Sequence, residues 1–167
     1  MHRTLKRLDA AHEKLLATVT PLAPGVFSRR PSATEWSVAE IVHHLRLVED
    51  RVIKELEKQL ANPPHKLGLL RRLVPIAIVG SRLIKVKAPQ AMNPVEAPDK
   101  EISIASYNAT RNKLKELWAN SGPERLKQVV FRHPFLGNIN GVATVSFVGY
   151  HEQRHLKQIR EVLGKLK

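Results

Sequence analysis

A chain of 167 residues with 43% hydrophobic and 26% charged residues is long enough to bury a core, and the expected organisation is one globular domain over 1–167. It contains no cysteine, which excludes a disulfide framework, a thiolate metal site and a cysteine nucleophile, so any metal must rest on histidine, carboxylate or water. The formal charge of +13 favours anionic partners, but the cations are scattered along the chain and aromatics make up only 5%, so no specific nucleic-acid partner is expected.

The N-terminal stretch MHRTLKRLDAAHEKLL is amphipathic without an uninterrupted apolar run, so it does not read as a secretory signal and the expected location is cytoplasmic. A first helix is expected from Arg3 to Thr20, with Leu5, Leu8, His12, Leu15 and Val19 on one stripe and Pro21 as its stop. On that stripe His12 reads as a core histidine rather than a ligand. A second helix should start near Thr34, whose hydroxyl is a candidate N-cap, and reach Ala61 before Asn62-Pro63-Pro64. Its apolar stripe is Val38, Ile41, Leu45, Val48, Val52 and Leu56.

HKLGLLRRLVPIAIVGSRLIKVK, residues 65–87, invites a membrane reading, but Arg71, Arg72, Pro75 and Arg82 make a span costly and no transmembrane segment is expected. It reads as a crossover packed on the domain, with contact to a membrane surface as the alternative. After the proline-rich APQAMNPVEAPDK, a third helix is expected from Pro98-Asp99 to Asn120, closed by Ser121-Gly122-Pro123. Ile104, Tyr107, Leu114 and Trp118 point inward and Arg111 interrupts their stripe; Trp36 and Trp118 read as core. A fourth helix starts around Asn140-Gly141 and continues to Leu163 or beyond, and no strand of convincing alternation is visible. The expected fold class is all-α, a four-helix bundle with a long crossover between helices two and three.

The last helix contains GYHEQRHLKQI, Gly149 to Ile159, where His151-Glu152-Gln153-Arg154-His155 spells the H-E-x-x-H of helical zinc proteases. The protease reading fails on context, because Gln158 and Glu161 stand where a chain-turning glycine and a third histidine belong, and no sheet edge exists to align a peptide. The histidines themselves are well placed. At ~100° per residue His155 falls ~40° from His151, among Val148, Ile159, Val162 and Leu166 at ~20° to ~80°. On the second helix, measured from Ile41, His44 borders the apolar stripe at ~300° while His43 at ~200° faces solvent. A His44/His151/His155 triad is therefore geometrically reasonable, and three neutral ligands with an open position is the stoichiometry of a catalytic site. From spacing alone the pair reads equally well as a hydrogen-bonded core feature.

WSVAEIVHHLRLVED (Trp36–Asp50), followed much later by HPFLGNINGVATVSFVGYHEQRHLKQI (His133–Ile159), resembles the DinB/YfiT-like superfamily, in which a tryptophan-led second helix carries an H-L pair and a final helix carries H-x-x-x-H-x-x-Q-I. The NPVEAP approach to helix three and the HP-x-LG entry to helix four extend the resemblance over nearly the whole chain. It implies an up-down-down-up four-helix bundle, often a homodimer, with a divalent metal, typically zinc or nickel, on His44, His151 and His155. Characterised members of that family include thiol S-transferases acting with bacillithiol, glutathione or mycothiol, and a thiol-dependent maleylpyruvate isomerase.

The expectation is thus a metal-dependent thiol S-transferase or hydrolase acting on a small molecule, with a low-molecular-weight thiol as cosubstrate in the transferase case. Glu152 is a candidate base or ligand-orienting carboxylate, its plainer role being a pair with a neighbouring cation. Gln158 is a candidate contact to metal-bound water or a hydrogen bond across the bundle. Arg111 is a candidate receptor for an anionic substrate, a snorkelling side chain, or a partner of Glu40. The alternative function is a non-catalytic, metal-stabilised binding protein whose basic surface meets anionic partners.

Overall fold

The computed structural model describes residues 1–64, 76–80, 97–133 and 136–167. Helix α1 (Arg3–Val19) buries Thr4, Leu8, Ala11, Leu15 and Val19, a spacing of three and four residues that turns one side to the core. His2 caps it, the ring Nδ1 accepting from the Thr4 N–H at 3.2 Å. A short helix, α2 (Pro24–Ser28), then buries Phe27.

Helix α3 (Val38–Leu60) begins later than a Thr34 cap would place it, because Ser37 and Glu40 form a capping box. The Ser37 hydroxyl accepts the Glu40 N–H and the Glu40 carboxylate accepts the Ser37 N–H. Thr34 lies in the preceding turn, its hydroxyl beside that of Ser32. Arg30 binds the same Glu40 carboxylate, so of the alternatives for Arg111 the one that pairs it with Glu40 gives way to a pair with Arg30.

Of the basic apolar segment, residues 76–80 are described. They form a 3-10 turn (Ile76–Gly80) against the last helix, with Ile76 and Val79 on the core. The readings of 65–87 as a crossover or a membrane-surface contact otherwise fall outside the described residues. Among the described residues no helix is long and apolar enough to cross a membrane.

Helix α4 (Lys100–Lys127) runs past the stop expected at Ser121-Gly122-Pro123. Gly122 does break the helical backbone, with φ at 72°, but Pro123 is pre-set for a first helical turn and the chain re-enters the helix. Strands β1 (Val130–His133) and β2 (Gly137–Asn140) then pair antiparallel, with Phe131 opposite Ile139 and His133 opposite Gly137. This corrects the expectation of no strand: four residues per strand are too few for alternation to register. Their stability comes from burying Phe131 and Ile139 on the bundle. Helix α5 (Gly141–Lys165) starts at Asn140, whose side-chain oxygen accepts the Ala143 N–H at 2.8 Å. A side chain at Gly141 would meet the Leu126 carbonyl oxygen at 2.8 Å, so only glycine lets α5 begin there.

The long helices α1, α3, α4 and α5 make a four-helix bundle in which α1 packs on α5, α3 packs on α4, and α5 also touches α3 and α4. The core has two apolar halves. One gathers Leu15, Phe27, Val38, Ile41, Tyr107 and Ile159; the other gathers Leu8, Leu56, Trp118, Phe131, Phe147 and Val148. Every long helix carries a polar residue where it passes from one half to the other. His12 lies between Leu8 and Leu15, Glu49 between Leu45 and Val52, Arg111 between Tyr107 and Leu114, and Glu152 between Val148 and Leu156.

Candidate metal centre

The Asn140 cap and Gly141 set the phase of α5, and with it the direction of every later side chain. Val145, Val148, Leu156, Ile159 and Val162 face the core, and His151 and His155, one turn apart, meet His44 from α3. The capping box sets the phase of α3 in the same way, burying Ile41 and Leu45 and bringing His44 to the edge of that stripe. One ligating atom from each histidine lies within 4.8 Å of the other two, and the Nε2 atoms of His151 and His155 are 3.1 Å apart. Nitrogens bound to a tetrahedral zinc at about 2.0–2.1 Å stand roughly 3.3 Å from one another, so the donor type fits a divalent ion and the His151–His155 pair already stands near that spacing.

Protonation also fits. Gln158 Oε1 accepts from His155 Nδ1 at 2.8 Å, which fixes the tautomer and leaves Nε2 as the lone-pair nitrogen facing His151. Burial pushes His151 well below its ordinary value of 6.5, and the neighbouring His155 and His44 push the same way, so its imidazole is neutral, the form that binds metal. His44 and His155 are buried and His151 is half-buried. Trp36 tilts over His44 at 5.1 Å between ring centroids and Phe147 stacks on His151 at 5.3 Å, giving the site two aromatic walls. Behind Phe147 lies His133, which burial holds down at about 4 and whose Nδ1 accepts the Leu136 N–H. His43 is half-buried, not solvent-facing as the wheel has it, because α3 is covered over a wider arc than its apolar stripe.

Glu152 follows His151 but, about 100° further round α5, turns away from the imidazoles and into the bundle. Its Oε1 accepts from the Tyr107 hydroxyl at 2.6 Å and lies 3.3 Å from His12 Nδ1; its Oε2 accepts from Arg111 Nη2 at 3.0 Å. The same guanidinium forks onto Glu49, with Nε to Oε1 at 2.7 Å and Nη2 to Oε2 at 3.0 Å, and donates from Nη1 to the Leu8 carbonyl. Arg111 and Glu49 are 1% exposed and Glu152 is 0% exposed, so this is a sealed ionic cluster. Burial works against the guanidinium charge, but Tyr107, Glu49 and Glu152 outweigh it and raise Arg111 above its ordinary value. Burial likewise raises Glu49 and lifts Tyr107 well above 10.0, which keeps the phenol a proton donor to Glu152.

The predicted site residues therefore fall into two groups. His44, His151 and His155 come together with Gln158 against one of them, whereas Arg111 and Glu152 come together with each other. Glu152 has its cation, from α4 rather than from its own helix. Sequence reasoning missed Glu49, although a carboxylate four residues from both Leu45 and Ile53 sits squarely on the buried stripe. It also read Tyr107 as apolar core and did not foresee His12 bridging Glu152 to Asn108, whose Oδ1 is 2.8 Å from His12 Nε2.

Comparison with known proteins agrees with this architecture. An uncharacterized protein of Bacillus subtilis (strain 168), YuaE, is 26% identical over 140 residues, covering 83% of this chain and 84% of that protein. The crystal structure of TT2238, a four-helix bundle protein, superposes with a TM-score of 0.63 at 23% identity over 95% of this chain and 96% of that one. YfiT from Bacillus subtilis, described as a probable metal-dependent hydrolase with an unusual four-helix bundle topology, superposes with a TM-score of 0.70 at 15% identity over 98% of this chain and 86% of its own. At these identities the two structures speak to the fold. The family model of the DinB superfamily matches residues 7–159, and with that match covering most of its length the chain belongs to the DinB superfamily.

Proposed function

We propose that the protein holds one divalent metal ion, zinc or nickel, on His44, His151 and His155 and uses it in hydrolysis or thiol transfer on a small molecule. The observation that carries this reading is the convergence of one imidazole from α3 and two from α5 on a single point. YfiT's description as a probable metal-dependent hydrolase supports it by likeness of fold. When bound, such an ion supplies the Lewis acidity that makes a nucleophile of water or a small thiol at neutral pH.

The chain's own residues supply the rest. Gln158 holds the His155 ring by its Nδ1–H and so directs Nε2 inward. Trp36 and Phe147 limit water around the imidazoles and offer apolar faces to a substrate. Because the chain has no cysteine, a reacting thiol belongs to a cosubstrate. Elemental analysis of protein purified without a histidine tag should give one divalent ion per chain, absent from a His44→Ala/His151→Ala variant. A screen of ester hydrolysis and thiol transfer with and without glutathione or bacillithiol then separates the reaction classes. Protein that takes up neither zinc nor nickel sinks the reading.

A further inference from the structure

The histidine centre is divided between helices, with His44 on α3 and His151 and His155 on α5, so its quality depends on how α3 sits against α5. Metal ligation tolerates only about 0.2 Å in donor distance, whereas leucine, valine and isoleucine contacts of the kind filling both halves of the core repack over larger shifts. A device that fixes the two helices at that level is therefore a requirement of the site.

The sealed cluster is placed to be that device. Arg111 reaches from α4 and grips Glu49 on α3 through two parallel bonds, 2.7 and 3.0 Å, and Glu152 on α5 through a third at 3.0 Å. Glu152 directly follows His151 in the chain, and Glu49 lies on the same helix as His44 a little more than one turn further on. Tyr107, one turn back on α4, and the Leu8 carbonyl accept further bonds from the same guanidinium, and the latter ties in α1. A planar fork fits two carboxylates only at set distances and angles, which apolar contacts do not impose. Stability alone does not call for charge here, since buried ionic clusters are commonly matched or exceeded by apolar residues of similar volume.

We propose that Arg111 is a positioning residue of the histidine centre: by holding Glu49 and Glu152 at once it sets α3 against α5 where the imidazoles meet. This rests on the metal-binding reading, and its test separates the two. Zinc affinity is measured by competition with a chelating dye for the full-length wild type and three variants, each checked for helical content and thermal unfolding. Arg111→Lys keeps the cation and loses the fork. Arg111→Met with Glu49→Leu and Glu152→Leu replaces the cluster by an apolar layer. Glu49→Gln, the mildest change, keeps the volume and weakens one arm.

The expected result is a folded apolar-layer variant with zinc affinity lowered about 10–100-fold, Arg111→Lys lowered over the same range, and Glu49→Gln lowered less. A purely electrostatic role predicts recovery in Arg111→Lys, and a purely structural role predicts full affinity in the apolar-layer variant. Either result in a folded variant overturns the proposal and leaves the metal reading standing. A wild type that does not bind zinc overturns both. Should the triple variant not fold, Arg111→Lys and Glu49→Gln decide by the same criterion.

Discussion

Helix α5 carries two neighbouring polar clusters, and they are built on opposite principles. Around Glu152, donors meet acceptors: a phenol, an imidazole and a guanidinium converge on one carboxylate, and the guanidinium is shared with a second. Around His151 and His155, like meets like, with imidazole nitrogens turned toward one another and toward His44. A cluster of matched charges holds a fold together, while imidazole nitrogens gathered in one place are the donor set that a cation takes up. Neighbouring residues in the chain, His151 and Glu152, thus serve ends that their order in the sequence does not distinguish.

The strongest way to break this comparison is to leave a charge without its partner. Arg111→Ala should destabilise the protein by about 3–5 kcal/mol in urea unfolding, because Glu49 and Glu152 then remain buried without their cation. The histidine side should behave differently. His44→Ala should change the unfolding of metal-free protein far less, but abolish the stabilisation by zinc, which for the wild type should reach about 2.7 kcal/mol at a free zinc concentration roughly 100 times Kd. A variant that still gains stability from zinc would remove His44 from the site.

Gly141→Ala acts on both clusters at once, since its Cβ would press on the Leu126 carbonyl and shift the start of the helix that carries them. A loss of about 1–3 kcal/mol with weakened zinc binding is expected. The smallest effect is at Glu40, whose partner Arg30 is half-exposed. Burial on its own would raise its pKa, but hydrogen bonds from Arg30 and Ser37 outweigh this and hold it below its ordinary 4.5. A carboxylate depressed in the folded state stabilises the protein above its unfolded pKa and loses that contribution as pH falls through the folded value. Wild-type stability should therefore fall below pH 4.5 by about 1 kcal/mol more than that of Glu40→Gln, measured by thermal unfolding across an acid series.

Much of the histidine centre was legible in the sequence because its geometry follows from single helices. The i, i+4 spacing of His151 and His155 and the place of His44 beside its apolar stripe are properties of each helix alone. The ionic cluster was not legible in the same way. Arg111 interrupts a buried stripe, but its carboxylate partners lie on other helices, and which carboxylate it meets is decided by packing. The Ser37 cap was readable from Ser37-Val38-Ala39-Glu40, an S-x-x-E box that outcompetes Thr34 through its reciprocal bond. The β1–β2 hairpin and the continuation of α4 beyond Gly122 are short-range outcomes of contact with the bundle, below the length at which periodicity speaks.

The division of the core into two apolar halves by a belt of His12, Glu49, Arg111 and Glu152 has a consequence for cooperativity. Truncations in separate halves, such as Phe27→Leu with Trp118→Phe, should add to within about 0.5 kcal/mol, whereas Glu49→Gln with Glu152→Gln should not, because both act through one guanidinium. Native-state hydrogen exchange would then show the ends of α5 opening as separate units while the amides around Glu152 exchange last, the belt being the part of the helix that opens only when the whole bundle does.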